Sequence, residues 1–176
     1  MRIGFRFRRL RLLTALWKKS VVDSEVSKSS KLFNGIRVYI GKKCRSFVIG
    51  NKVQVRRLVD LEVGGSLKIG EGSVIGVGSF IQADGEVEIG RGVLLGPGVK
   101  VFSTSHDYGR NKELHKPLLK GKILISDNVW IGANSVVAMN VSIGENSVVG
   151  ANSFVNKDVP ANCVVAGNPA RVVKRF

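Results

Sequence analysis

Residues 125–158 read Ile125-Ser-Asp-Asn-Val-Trp130, Ile131-Gly-Ala-Asn-Ser-Val136, Val137-Ala-Met-Asn-Val-Ser142, Ile143-Gly-Glu-Asn-Ser-Val148, Val149-Gly-Ala-Asn-Ser-Phe154 and Val155-Asn-Lys-Asp158. Every sixth residue is aliphatic, the next is usually small, and the third after it is Asn or Asp. Asn, Asp and Gly best tolerate the left-handed backbone region, so this column demands a bend once per six residues. Six matches neither an α-helix nor simple strand alternation. Short extended segments separated by regular bends wind into a three-sided prism. One coil then takes eighteen residues and stacks Ile125 on Ile143, Ile131 on Val149 and Val137 on Val155. Successive coils lie about 4.8 Å apart, the spacing of paired strands. Such a solenoid draws its stability chiefly from contacts between neighbouring coils.

The same period runs upstream through Ile69, Ile75 and Ile81, then through Ile89, Leu95 and Val101. Two extra residues near Gly85 and Glu86 shift the register between those two runs. The bend column there holds Gly72, Gly78, Asp84, Gly92 and Gly98, and the small column Gly70, Gly76, Gly90 and Gly96. Ser73, Ser79, Ser135, Ser147 and Ser153 share a further column with Val129 and Val141. Ile40-Gly41, Ile49-Gly50 and Val55 read as earlier, less regular coils, with a start near Ile36. At the other end Asn168-Pro169-Ala170 closes the repeat, and Arg171 to Phe176 are expected to form a short helix. The expected architecture is therefore all-β: a parallel β-helix over 31–176, behind a basic segment over 1–30 for which a helix is one reading. General rules for parallel crossovers favour a right hand, and the period alone does not set the hand.

The repeat breaks after Val101. A protruding loop at about 107–124 does not fit it, and a long irregular insertion in a regular solenoid usually has a functional reason. His106 and His115, the two histidines of the chain, flank it or lie within it. A histidine near its reference pKa can take a proton from a hydroxyl at neutral pH. By residue type alone His106 reads either as such a base or as a solvated side chain.

Three blocks carry a resemblance: Ser105-His106-Asp107-Tyr108, Val129-Trp130-Ile131-Gly132 after the loop, and Ala166-Gly167-Asn168-Pro169-Ala170-Arg171 at the end of the repeat. Together with the hexapeptide pattern they resemble the left-handed β-helix acyltransferases, in particular the galactoside/maltose and exopolysaccharide O-acetyltransferases, over about residues 36–176. The resemblance implies the left hand. It implies an enzyme that moves an acetyl group from acetyl-CoA to a sugar or glycan hydroxyl, in capsule, O-antigen or exopolysaccharide biosynthesis, with His106 as general base. It places the acyl donor against Trp130, Gly132, Ala133, Gly150 and Ala151, with Lys157, Arg171 and Lys174 near its phosphates, where cation–phosphate contacts make chemical sense. Asn156 stands where the family often has Thr, which leaves the hydrogen bonding there open. Asp84 and Asp107 are the carboxylates expected at the acceptor. Asp84 reads equally well as a residue of the bend column, and adjacency to His106 rarely gives Asp107 a suitable geometry. Members of the family are trimers with sites between subunits. Cytoplasmic acetyl-CoA places the reaction on the inner side of the membrane.

Composition narrows the alternatives. Lys and Arg number 28 against 13 Asp and Glu, a net charge of +15. This balance favours anionic partners. No nucleic-acid motif accompanies it, and aromatics are only 7% of the chain, few for base stacking. Residues 1–19 mix arginines with Phe5, Phe7, Leu13 and Trp17. Their apolar run is too short to span a bilayer and lacks a signal-peptide cleavage pattern. They read either as an interfacial helix on an anionic membrane, making the protein peripheral at its inner face, or as a helix packed on the domain or on a neighbouring subunit. Cys44 and Cys163 form neither a disulfide framework nor a zinc spacing, which fits a reducing compartment. Two histidines fall short of the three that a zinc-dependent carbonic anhydrase on this fold requires, so no metal is expected. No Gly-x-Ser-x-Gly elbow points to a serine triad. Three rivals remain: a xenobiotic acetyltransferase, an amino-acid acetyltransferase, and a non-catalytic β-helix scaffold.

Overall fold

The computed structural model describes residues 23–107 and 118–176. The expectations for residues 1–22 and for His115 fall outside the described residues.

The described chain is a triangular prism of short strands with no helix. The first face stacks Asp23–Val26, Ser46–Ile49, Ser66–Ile69, Glu86–Ile89, Lys122–Ile125 and Ser142–Ile143. The second stacks Lys31–Leu32, Gln54–Val55, Val74–Ile75, Leu94–Leu95, Trp130–Ile131, Val148–Val149 and Cys163–Ala166. The third stacks Arg37–Ile40, Asp60–Val63, Phe80–Gln82, Lys100–Phe102, Val136–Val137 and Phe154–Val155. All pairs within these three stacks are parallel, as the period demands, and give six full coils and a partial seventh.

Alternation within each strand decides what faces in. Ile69, Ile75, Ile81, Ile89, Leu95, Val101, Ile125, Ile131 and Val137 are all buried and fill the axis. Their neighbours face solvent. The expected eighteen-residue stacking holds in the later coils, where Ile125 pairs with Ile143, Ile131 with Val149 and Val137 with Val155. In the earlier coils the step is twenty, Ile49 to Ile69 to Ile89. The additional residues sit at the third corner, between the third face and the first, as Gly64-Gly65 and Asp84-Gly85. The bends at the other two corners take positive φ at Gly72, Gly78, Gly92, Gly98, Asn128, Asn134, Asn146 and Asn152; in the later coils the third corner does so at Asn140.

Several expectations need correction. Among the described residues the coils reach back to Asp23, since Asp23–Val26 pairs in register with Ser46–Ile49, so residues 23–30 belong to them. The C-terminal helix is absent: Arg171–Arg175 is a strand that runs antiparallel along Cys163–Ala166 and covers the last open edge of the second face. That edge offers unpaired backbone groups, and a returning strand satisfies them where a helix would not. The loop is also shorter than 107–124. Lys122–Ile125 already lies in register with Glu86–Ile89, and Leu119–Lys120 pairs antiparallel with Thr104–Ser105 at the loop's neck. Asp84 and Asp158 are not left-handed bend residues. Asp158 instead accepts the Ser142 N–H through its carboxylate at 2.7 Å.

Buried serines tie the coils together at the corners. Ser73 Oγ donates to the Gly90 carbonyl at 2.8 Å, Ser135 Oγ to Gly150 at 2.9 Å and Ser147 Oγ to Pro160 at 2.7 Å. Each hydroxyl recovers in the interior the hydrogen bond it gave up to water.

Candidate functional site: a loop neck and a bare backbone stripe

The neck of the loop lies at the third corner of the fourth coil. The chain leaves the prism at Ser103, a fully buried position that Val63 and Ala83 fill in the two preceding coils. Its hydroxyl donates to the Gln82 carbonyl at 2.9 Å and accepts the Gly85 N–H at 3.0 Å. Its own carbonyl accepts the N–H of Gly121, where the chain re-enters, at 2.9 Å. Thr104 Oγ1 donates to Gln82 Oε1 at 2.5 Å. Ser103 and Thr104 thus clasp the exit of the loop to the Gln82–Gly85 turn of the coil below. This clasp was not foreseen. Its signal was a polar residue in an otherwise aliphatic interior column.

His106 follows the clasp by two residues beyond Thr104, and its side chain is exposed. Asp84 belongs to the turn that the clasp grips. It is half-buried and lies over Gly64, so close that a Cβ on Gly64 would stand 1.9 Å from Asp84 Oδ1. Gly64 therefore makes room for that carboxylate. His106 and Asp84 emerge from one corner on adjacent coils, and Asp107 is half-buried next to His106. Among the described residues no three of His, Cys, Asp and Glu gather as ligands of a metal ion would.

The residues expected to hold the acyl donor lie mostly on the second face. Trp130 is half-exposed and aligned with Val148, Val164 and Lys174 in one cross-coil column. The next column runs Gly132, Gly150, Ala166 and Arg171. A Cβ on Gly132 would meet the Ala151 backbone nitrogen at 2.5 Å, so only glycine lets these coils stack with Ala133 and Ala151 at the corner. The amides of this stripe are already committed between coils: Gly132 N–H to Val149 O at 2.7 Å, and Gly150 N–H to Val165 O at 2.8 Å. What the stripe offers a ligand is a track of glycine and alanine, with the exposed cations Arg171 and Lys174 at its end. Lys157 is not part of it. It stands exposed at the third corner, beyond the third face, on the same prism edge as His106 and two coils further along. A single chain therefore brings His106, Asp84 and Lys157 to one corner, and Trp130, Gly132, Gly150, Arg171 and Lys174 to the far side of the third face.

Comparison with known proteins agrees with this architecture. Residues 122–157 match the bacterial transferase hexapeptide family (six repeats), and residues 66–103 the hexapeptide repeat of succinyl-transferase. Nodulation protein L of Rhizobium leguminosarum is 30% identical over 161 residues, 92% of this chain and 82% of that protein. The chain belongs to the hexapeptide-repeat acetyltransferase family. Galactoside O-acetyltransferase of Escherichia coli is 36% identical over 73% of this chain, a match spanning 63% of that enzyme's own length. A hexapeptide-repeat acetyltransferase of Vibrio cholerae solved with acetyl-CoA superposes with a TM-score of 0.59 at 29% identity, covering 78% of this chain and 70% of that one. The fold is the left-handed parallel β-helix of this family, and membership makes the chain an acyltransferase. Among the described residues no helix is long and apolar enough to cross a membrane.

Proposed function

We propose that this acyltransferase moves an acetyl group from acetyl-CoA to a hydroxyl of a sugar, with His106 as general base. The observation that carries the reading is the clasped neck. It anchors the stem of an exposed histidine to a rigid coil, beside a turn that bears a carboxylate. The Vibrio cholerae relative is described with acetyl-CoA, and the Escherichia coli relative is named for galactoside O-acetylation. A track of glycine and alanine ending in Arg171 and Lys174 suits a long, thin thioester arm with phosphates at one end.

In the proposed reaction the acceptor hydroxyl oxygen attacks the thioester carbonyl carbon while His106 takes its proton. The tetrahedral intermediate collapses with loss of the CoA thiolate, and that proton leaves with the thiol. Asp84, held over Gly64, contacts the acceptor, with Asp107 beside the histidine. Proton transfer of this kind is worth about 10²–10⁴-fold.

Two chains are needed to complete such a site. The histidine corner and the cation-ended track lie on opposite sides of the third face, so a neighbouring prism must bring its track to the histidine corner. A homotrimer provides this. We place the reaction in synthesis of cell-envelope polysaccharide from cytoplasmic acetyl-CoA, the setting that the sequence resemblance implies.

The test is release of CoA thiol by the protein and by His106→Ala, with acetyl-CoA and a panel of sugars, nucleotide sugars, lipid-linked glycans, hydroxy amino acids and aromatic xenobiotics. Sugar-dependent release that falls about 10²–10⁴-fold in the variant is expected. Release that survives loss of His106 removes the base. Release only with an amino acid or a xenobiotic removes the sugar.

A further inference from the structure

The charge of this protein is segregated along the chain. Residues 1–57 hold 16 of the 28 Lys and Arg but only Asp23 and Glu25 of the 13 acids, so they carry +14 of the net +15. The remainder of the chain is nearly neutral. A uniformly solubilising surface would not divide in this way.

The fold converts that run of sequence into one end of a solid. Residues 23–57 wind around the first coil and most of the second. Their cations stand on all three corners: Lys28 on the first, Arg57 on the second, and Lys42, Lys43 and Arg45 on the third, with Lys31 on the second face. All six are exposed, and among the described residues none has a carboxylate within ion-pair distance. Elsewhere on the prism, three cations among the described residues are neutralised across coils. Lys68 meets Glu88 at 3.3 Å, Arg91 meets Asp127 at 2.7 Å and Lys122 meets Glu86 at 2.6 Å. Among the described residues at this end, only Arg37 and Lys52 are neutralised in the same way, by Asp60 and Glu71 of the next coil. What sets the end apart is its balance: residues 23–57 hold nine Lys and Arg against Asp23 and Glu25 alone.

We propose that the N-terminal end of the prism is a docking face for an anionic lipid surface. The arrangement favours lipid over nucleic acid. The cations are spread over all three corners of the first coils, whereas a phosphate backbone is tracked by a groove or stripe. The preceding residues 1–22 add seven Lys and Arg, no acid, and apolar side chains such as Phe5, Phe7, Leu13 and Trp17. A bilayer interface accepts both halves of that composition, its headgroups the charge and its acyl boundary the apolar groups. Nucleic acid offers no apolar phase. Attraction of this kind acts within about 8 Å at physiological salt, so it reaches the first coils only. A prism docked on its end stands upright, with the neck of the His106 loop three coil spacings above the first coil, about 14 Å. The inference does not rest on acetyl transfer, and its test reads binding alone.

Full-length protein is sedimented with vesicles of phosphatidylcholine and with vesicles containing about one quarter phosphatidylglycerol, at about 0.1 M salt. Binding to the anionic vesicles only, weakening as salt rises, is expected. Each lysine near such a surface is worth about five-fold, so Lys42→Ala/Lys43→Ala should weaken partitioning about twenty-five-fold. Lys28→Ala/Arg57→Ala, on the other two corners, should do the same. Lys100→Ala/Arg175→Ala, which removes two exposed cations away from this end, should change nothing. Unaltered thermal midpoints show that the variants fold. The docking face is overturned by equal binding to both vesicle types, by no binding, or by indistinguishable losses in all three variants. Tighter binding to a single-stranded oligonucleotide than to anionic vesicles at equal phosphate would assign the face to nucleic acid instead.

Discussion

Leu58 holds φ at 59°, a conformation that costs an L-residue with a Cβ roughly 1–2 kcal/mol, and its side chain is 64% exposed. Asn occupies the equivalent bend at positions 134 and 152 with φ of 59° and 57°. Leu58→Asn should therefore stabilise the protein, raising the thermal midpoint by about 1–3 °C. A midpoint that falls would show that the Leu58 contact with Gly35 outweighs the backbone strain. Ser135 makes the opposite case. It donates to Gly150 O and accepts the Ser153 N–H at 3.2 Å. Ser135→Ala leaves two buried groups unpaired and should cost about 1–3 kcal/mol in denaturant unfolding. Trp130, 51% exposed, supports little of the fold. Trp130→Ala should leave stability within about 0.5 kcal/mol and raise the KM for acetyl-CoA by about five- to thirty-fold, the factor that 1–2 kcal/mol represents. The bends at Asn128, Asn134 and Asn146 could be read from residue type. Ser103 could not be assigned a partner, because Gln82 and Gly85 reach it only when a coil has closed.

The element that governs the site is the corner, where successive coils differ most. The Arg91–Asp127 pair staples the first corner of the fourth and fifth coils across the whole loop insertion. Asp127 accepts the Arg91 backbone N–H at 2.8 Å as well as its guanidinium. The backbone bond first, then the guanidinium, hold the Asp127 carboxyl below the usual carboxylate range. A carboxyl whose folded pKa is depressed contributes fully above its unfolded pKa and loses that contribution as pH falls through the depressed value. The stability gap between the protein and Asp127→Asn, measured by denaturant unfolding, should be constant from neutral pH to the ordinary carboxylate pKa and shrink below it. A gap that grows on acidification would contradict the assignment. The six-residue element was plain in residues 125–158, where each hexad carries its own bend. The loop end was misread, because Lys122-Ile-Leu-Ile125 is aliphatic enough for a strand but follows Gly121 without a full hexad before it. Pairing with Glu86–Ile89 settles its register.

At the scale of the molecule, one chain presents two separate halves of the proposed site. If they meet between neighbours, light scattering should give the mass of three chains. Co-refolding His106→Ala with Arg171→Glu/Lys174→Glu in equal amounts should recover about a quarter of the original activity, because each interface has that chance of combining an intact histidine with an intact track. Both halves drawn from one chain would give no recovery. The basic end and the site are three coils apart, so each can be altered without the other.

The sequence by itself determined the prism, its coil size in the later repeats and its family, because a period of six with bends at Asn and Gly is local information, complete within each hexad. It also marked His106 as the candidate base, because the break in period is itself local. Only the tertiary structure decided that residues 23–30 belong to the coils, that the C-terminus is a strand and not a helix, which interior serine clasps the loop, and that the cations of residues 23–57 gather at one end. The early coil and the clasp depend on partners about twenty residues away along the chain, and the C-terminal strand on one five to twelve residues away across a turn. Stacking or the turn brings those partners into contact, and nothing in the local pattern names them.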